Sequence, residues 1–102
     1  MAQKLVSSFT ATGQSSSFLP DGVDDLISRP FNLSIWGTFV GTVQLERSFD
    51  NGVTWLPLTA LGSSLAFTAP CSETFTECEA SVIYRLNCTA YTSGTINYRL
   101  SQ

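Results

Sequence analysis

Histidine is absent from this chain, and charge is scarce: five Lys+Arg and eight Asp+Glu make up only 13% of its 102 residues. Without histidine, Ser-His-Asp and Cys-His arrangements are excluded, and the commonest general acid–base is missing. No apolar run nears the roughly 20 residues that span a bilayer, and "MAQKLVSSFTATGQSSS" lacks the apolar core of a signal peptide. No membrane contact is expected, and the chain reads as starting near Met1 and being made in a cytoplasm. The net charge is −3 with a pI near 4.5, and no cluster of cations is present, so nucleic-acid binding is not expected either. A glycine-rich phosphate loop and an amphipathic helix are both missing.

Cysteine is limited to Cys71, Cys78 and Cys88, an odd number whose spacing is not Cys-x2-Cys. A disulfide framework and a metal site are therefore not expected. Cys88 lies in "VIYRLNCTAY", where alternation places it with Val82, Tyr84 and Leu86 as a small core residue. The sequons at Asn32 and Asn87 fall inside strand-like text and would matter only in a secreted eukaryotic chain.

What the chain does have is 43% hydrophobic and 12% aromatic residues, enough for one packed core. Segments rich in Val, Ile, Thr, Phe, Tyr and Trp alternate with Gly, Asn, Asp, Ser and Pro, which is β texture throughout. The strand-like stretches are "KLVSSFT", "SSSFL", "FNLSIWG", "GTVQLERSF", "VTWLPLT", "SLAFTA", "ETFTEC", "SVIYRLNCTAY" and "TINYRLS". The expected fold is all-β: an antiparallel β-sandwich of jelly-roll or Ig-like type with about eight strands, or the same strands closed into a barrel. Residues 1–14 are read as an N-terminal arm and 15–102 as the sandwich domain. The polar connection "PDGVDDLISRP" is read as a turn, with room for one helical turn at "VDDLIS".

Alternation also assigns faces. Phe31, Leu33 and Ile35 form one inward stripe, and Ile96, Tyr98 and Leu100 another, with Asn97 and Arg99 outward. A third consists of Val43, Leu45, Arg47 and Phe49, leaving Gln44, Glu46 and Ser48 on the outer side. Each large side chain so buried contributes about 1.5–3 kcal/mol.

"SFDNGVTW" reads Ser-x-Asp-x-Gly-x-Thr-Trp and looks like the Asp-box found on the blades of sialidases and related propellers. One copy in a chain of this length cannot make a propeller. Asn51-Gly52 between alternating apolar segments is a strong hairpin signal; Asp50 is placed to accept loop N–H groups and Trp55 to cover the returning strand. The resemblance implies a structural turn, not hydrolysis. "YTSGTINY" is read as a second hairpin with Ser93-Gly94 at its tip. The other carboxylates, Asp21, Asp24, Asp25, Glu73, Glu77 and Glu79, sit in polar text without an EF-hand spacing or a required catalytic motif. No catalytic residue, metal or cofactor is assigned.

The outward positions are rich in Ser and Thr and poor in charge, which suits broad contact with another protein. "FNLSIWGTFVGTVQLERSFDNGVTWLPLT", with the C-terminal "VIYRLNCTAYTSGTINYRLSQ", resembles small virion proteins of tailed bacteriophages. The resemblance implies a capsid decoration, or cement, protein. Such a protein binds the major capsid protein on the outside of the shell, is a homo-oligomer with a trimer favoured, and is made in the host cytoplasm. Leu5, Val6 and Phe9 of the arm, with Trp36 and Tyr91, are the expected partner contacts. Two competing readings are a carbohydrate- or receptor-binding module of a fibre, drawing on exposed aromatics such as Trp36 and Trp55, and a tail-tube or connector component.

Overall fold

A computed structural model describes residues 4–20 and 28–102. Asp21, Asp24 and Asp25, and nearly all of the stretch read as a possible helical turn, lie outside the described residues. Within them the chain is all-β and contains no helix. Strands β1 (Lys4–Phe9), β11 (Ile96–Ser101), β3 (Arg29–Trp36) and β9 (Cys71–Glu77) make one antiparallel sheet in that order. The second sheet runs β2 (Gly13–Gln14), β10 (Ile83–Gly94), β4 (Phe39–Ser48), β5 (Leu56–Pro57), with β8 (Ala66–Phe67) on the same edge of β4 as β5. Between β5 and β8 the chain makes a small hairpin of β6 (Thr59–Ala60) and β7 (Ser63–Ser64). The sheets stay open at their edges, so the sandwich is found and the barrel is not.

Apolar stripes from four strands close the core. Phe31, Leu33 and Ile35 from β3, and Ile96, Tyr98 and Leu100 from β11, meet Val43 and Leu45 from β4 and Tyr84, Leu86 and Cys88 from β10. Alternate residues of a strand share a face, and here those faces oppose one another across two layers. Aromatic contacts knit the ends: Phe31 lies 4.6 Å from Tyr84 and 5.7 Å from Phe75, and Phe9 lies 4.9 Å from Tyr98 between ring centroids.

Several elements differ from the sequence reading. The stretch read as an arm holds β1, which pairs along its full length with β11 and buries Phe9, and β2, which pairs with β10. Its alternating Leu5 and Phe9 give it a core side, and that is reason enough to join the sheet. Phe49 is exposed, because β4 ends at Ser48 and the chain bends before the alternation can carry Phe49 inward. Arg47 instead lies over its ring at 4.9 Å. Ser48 and Glu46, expected outward, are buried: a turn folds over the first, and Arg85 and Asn87 of the neighbouring strand bond to the second.

Ser93-Gly94 is not a hairpin tip. Both residues remain in β10, paired with Val40 and Phe39, and the chain then crosses into the other sheet as β11. Gly37 marks the matching crossing from β3 to β4. The two crossings pack back to back: a Cβ on Gly94 (φ +91°) would sit 2.1 Å from the Thr38 carbonyl oxygen, and one on Gly37 (φ +118°) 2.6 Å from that of Thr95. Only glycine meets both the space and the backbone conformation there.

Candidate interaction face

The Asp-box stretch is built as a self-contained turn between β4 and β5. Ser48 Oγ donates to Asp50 Oδ1 at 2.7 Å and accepts the Gly52 N–H at 2.8 Å, while Asp50 Oδ1 accepts the Thr54 N–H at 2.8 Å. Asn51 (φ 60°) and Gly52 (φ 92°) take the left-handed conformations that reverse the chain. The Thr54 N–H, followed by the Ser48 hydroxyl, holds the Asp50 carboxyl below the usual range. The Ser48 hydroxyl and Asp50 Oδ1 are thus both engaged within the turn itself. Trp55 folds over the outer side of its sheet, where the Arg85 guanidinium lies 4.3 Å from its ring. Arg85 in turn donates to Glu46 at 2.8 Å and Asn87 donates to the other Glu46 oxygen at 3.1 Å.

A second polar cluster lies between the sheets at the end where β9 stops. Glu77 Oε1 accepts from Arg47 at 2.8 Å and from the Tyr84 hydroxyl at 2.8 Å, and Oε2 accepts the Glu79 N–H at 3.0 Å. Burial pushes the Glu77 carboxyl up, but these donors outweigh it and leave it below the usual range. Burial and the bond to Glu77 push the Tyr84 hydroxyl well above its ordinary value. Among the described residues no buried side-chain polar atom lacks a partner, and no three metal-ligating side chains converge. Glu46 and Glu77 are committed to cations and Asp50 to its turn.

The outer face of the β1-β11-β3-β9 sheet is different in kind. Cross-strand rows place Val6, Arg99, Ser34 and Ser72 side by side, flanked by the rows Lys4-Ser101-Asn32-Thr74 and Ser8-Asn97-Trp36. No carboxylate occupies an outward position on its four strands, although the chain as a whole is acidic. Its charges are Lys4 and Arg99, and its large apolar groups are Val6 and Trp36, 51% and 45% exposed. Between them lie short hydroxyl and amide side chains, of which Ser34 and Ser72 bond at 2.9 Å. Such groups lose little rotamer entropy when covered.

Of the residues expected as partner contacts, the fold brings Val6 and Trp36 onto this face and not the others. Leu5 packs against the core and Phe9 is buried in it. Tyr91 packs against the core too, and its hydroxyl donates to the Gly94 carbonyl at 2.6 Å, stapling the crossing. Trp36 and Trp55 lie on the outer sides of opposite sheets and so line no common groove. Arg99 was read as merely outward; its place in a carboxylate-free face emerges only once β1, β3 and β9 are set beside it. The chain matches no protein-family model, no curated protein and no solved structure.

Proposed function

We propose that this chain is a structural adhesion module without catalytic activity, and that it docks through the outer face of the β1-β11-β3-β9 sheet onto a larger protein assembly. On the resemblance to small virion proteins, that assembly is a phage head: the partner is the major capsid protein and the role is decoration of the shell from outside. The observation that carries the reading is the composition of that face, an acid-free surface of short hydroxyl groups with one exposed tryptophan, a valine and two cations, on a chain of net charge −3. Tryptophan and arginine are the side chains that most often anchor protein interfaces, and small polar neighbours complete such a patch at low entropic cost. One patch of this size binds modestly. Repetition over a lattice, with each copy bridging neighbouring subunits, turns modest contacts into shell stability.

Copy number tests the role. Quantitative gel densitometry of purified particles should give hundreds of copies of the chain per head. Its absence, or about six or twelve copies as a ring-shaped connector requires, would defeat the decoration reading.

A further inference from the structure

The β1-β11-β3-β9 sheet ends in two rims. Among the described residues no strand lies outside β1 or outside β9. Unpaired rims invite another strand. Because the sheet holds an even number of antiparallel strands, its two rim strands run in opposite directions. Two copies side by side in the same orientation therefore bring β1 of one antiparallel to β9 of the next.

The side chains fit that junction. Ser7 pairs with buried Tyr98 and Glu73 with buried Leu33, so both sit on the core side of their strands, yet both are exposed at the rims. Laying the whole of β1 along β9 sets Lys4–Phe9 against residues 76 to 71, with Ser7 opposite Glu73, Leu5 opposite Phe75 and Phe9 opposite Cys71. Core side then meets core side at these three pairs, and outer side meets outer side at the three that alternate with them. The hydrogen-bonding phase agrees as well. Ser7, Tyr98, Ile35 and Cys71 form one cross-strand row, and alternation along an antiparallel row of four leaves the same type of site at both ends. Glu73, two residues from Cys71, shares that phase.

An acidic side chain on the core side of a rim strand repels an incoming apolar strand. A strand with a hydroxyl donor at that place is accepted, and Ser7 supplies one. Charge points the same way, since β1 carries Lys4 and no acid while β9 carries exposed Glu73 and no cation, its Glu77 being already bonded to Arg47. We propose that the chain self-associates head to tail, β1 of one copy adding as a fifth strand to β9 of a second copy, with Ser7 facing Glu73 across the junction. This interface uses the rims and leaves the outer face free, so it stands or falls apart from the docking reading.

Sedimentation velocity on the chain alone, from about 1 μM to about 0.1 mM, tests it. The wild type should gain mass with concentration. Ser7→Glu sets two carboxylates face to face and should weaken association about tenfold, whereas the charge-swapped double variant Ser7→Glu/Glu73→Lys should recover it. Both positions are exposed, so the circular dichroism of each variant should match the wild type. Should Ser7→Glu disturb that spectrum, the other rim gives the same test: Glu73→Lys alone removes the carboxylate facing Ser7 and should weaken association, and association unchanged by it would equally overturn the proposal. A wild type that stays monomeric throughout, association untouched by Ser7→Glu, or a double variant no better than the single would each overturn the proposal.

Discussion

Glu77 shows how much a single side chain does here. It joins β9 to β4 and β10 through Arg47 and the Tyr84 hydroxyl, and it also caps its own following turn through the Glu79 N–H. Glu77 and Asp50 are both held below their ordinary values. A carboxyl with a depressed folded-state value contributes stability above its unfolded value and loses it as pH falls through the folded one. The protein should therefore be stable near neutrality and lose stability progressively below about pH 4. Tyr84 works at the other end: its hydroxyl is raised, so its contribution is complete below the usual tyrosine value of about 10 and fades above it. Glu77→Ala strands the Tyr84 hydroxyl and the Arg47 charge between the sheets and should cost about 2–3 kcal/mol in urea unfolding at pH 7. Its loss on acidification to pH 3 should be smaller than that of the wild type. Equal acid sensitivity in the two proteins would show that Glu77 is not part of the linkage.

At the scale of elements, strands follow local alternation and the connections follow their surroundings. The β6–β7 hairpin illustrates the second half. Leu61 at its tip is fully exposed, at 108%, and holds φ 52° beside Gly62 at φ 85°. This turn geometry favours Asn-Gly, and leucine there carries a left-handed penalty that asparagine largely avoids. Leu61→Asn should raise stability by about 0.5–1 kcal/mol, a gain of a few degrees in Tm; an unchanged or lower Tm would mean the turn is not under that strain. The stripes of β3, β10 and β11 were legible because a buried strand writes period two into its own residues. So was the turn at Asn51-Gly52, whose two residues announce positive φ. The burial of Glu46 and Ser48 was not legible, since what covers a strand's second face is set by neighbours distant in sequence. Ser93-Gly94 misled for a related reason: a glycine needed for a tight hairpin and one needed for close passage beside Thr38 look alike in the chain. Among the described residues, five of the eleven strands are only two residues long, too short for any period to show.

At the scale of the whole molecule, the two sheets divide the labour. The outer side of the β2-β10-β4-β5 sheet spends its cation and its tryptophan on itself, through Glu46, Arg85, Asn87 and Trp55. The opposite sheet turns Trp36, Val6 and Arg99 outward with no acid among them. That asymmetry was only half visible beforehand: the hydroxyl-rich surface could be read from composition, but the grouping of Val6, Trp36 and Arg99, widely separated in sequence, depends on strand order. The central claim is that this face docks on a protein lattice. Co-sedimentation with particles grown without the gene tests it most directly, comparing the wild type with the double variant Trp36→Ser/Arg99→Glu after matching their Tm values. The account predicts that the wild type pellets with the particles and that the variant binds at least about tenfold more weakly, a loss of about 1.4 kcal/mol or more. Equal binding of the two, or no binding of the wild type, would contradict it.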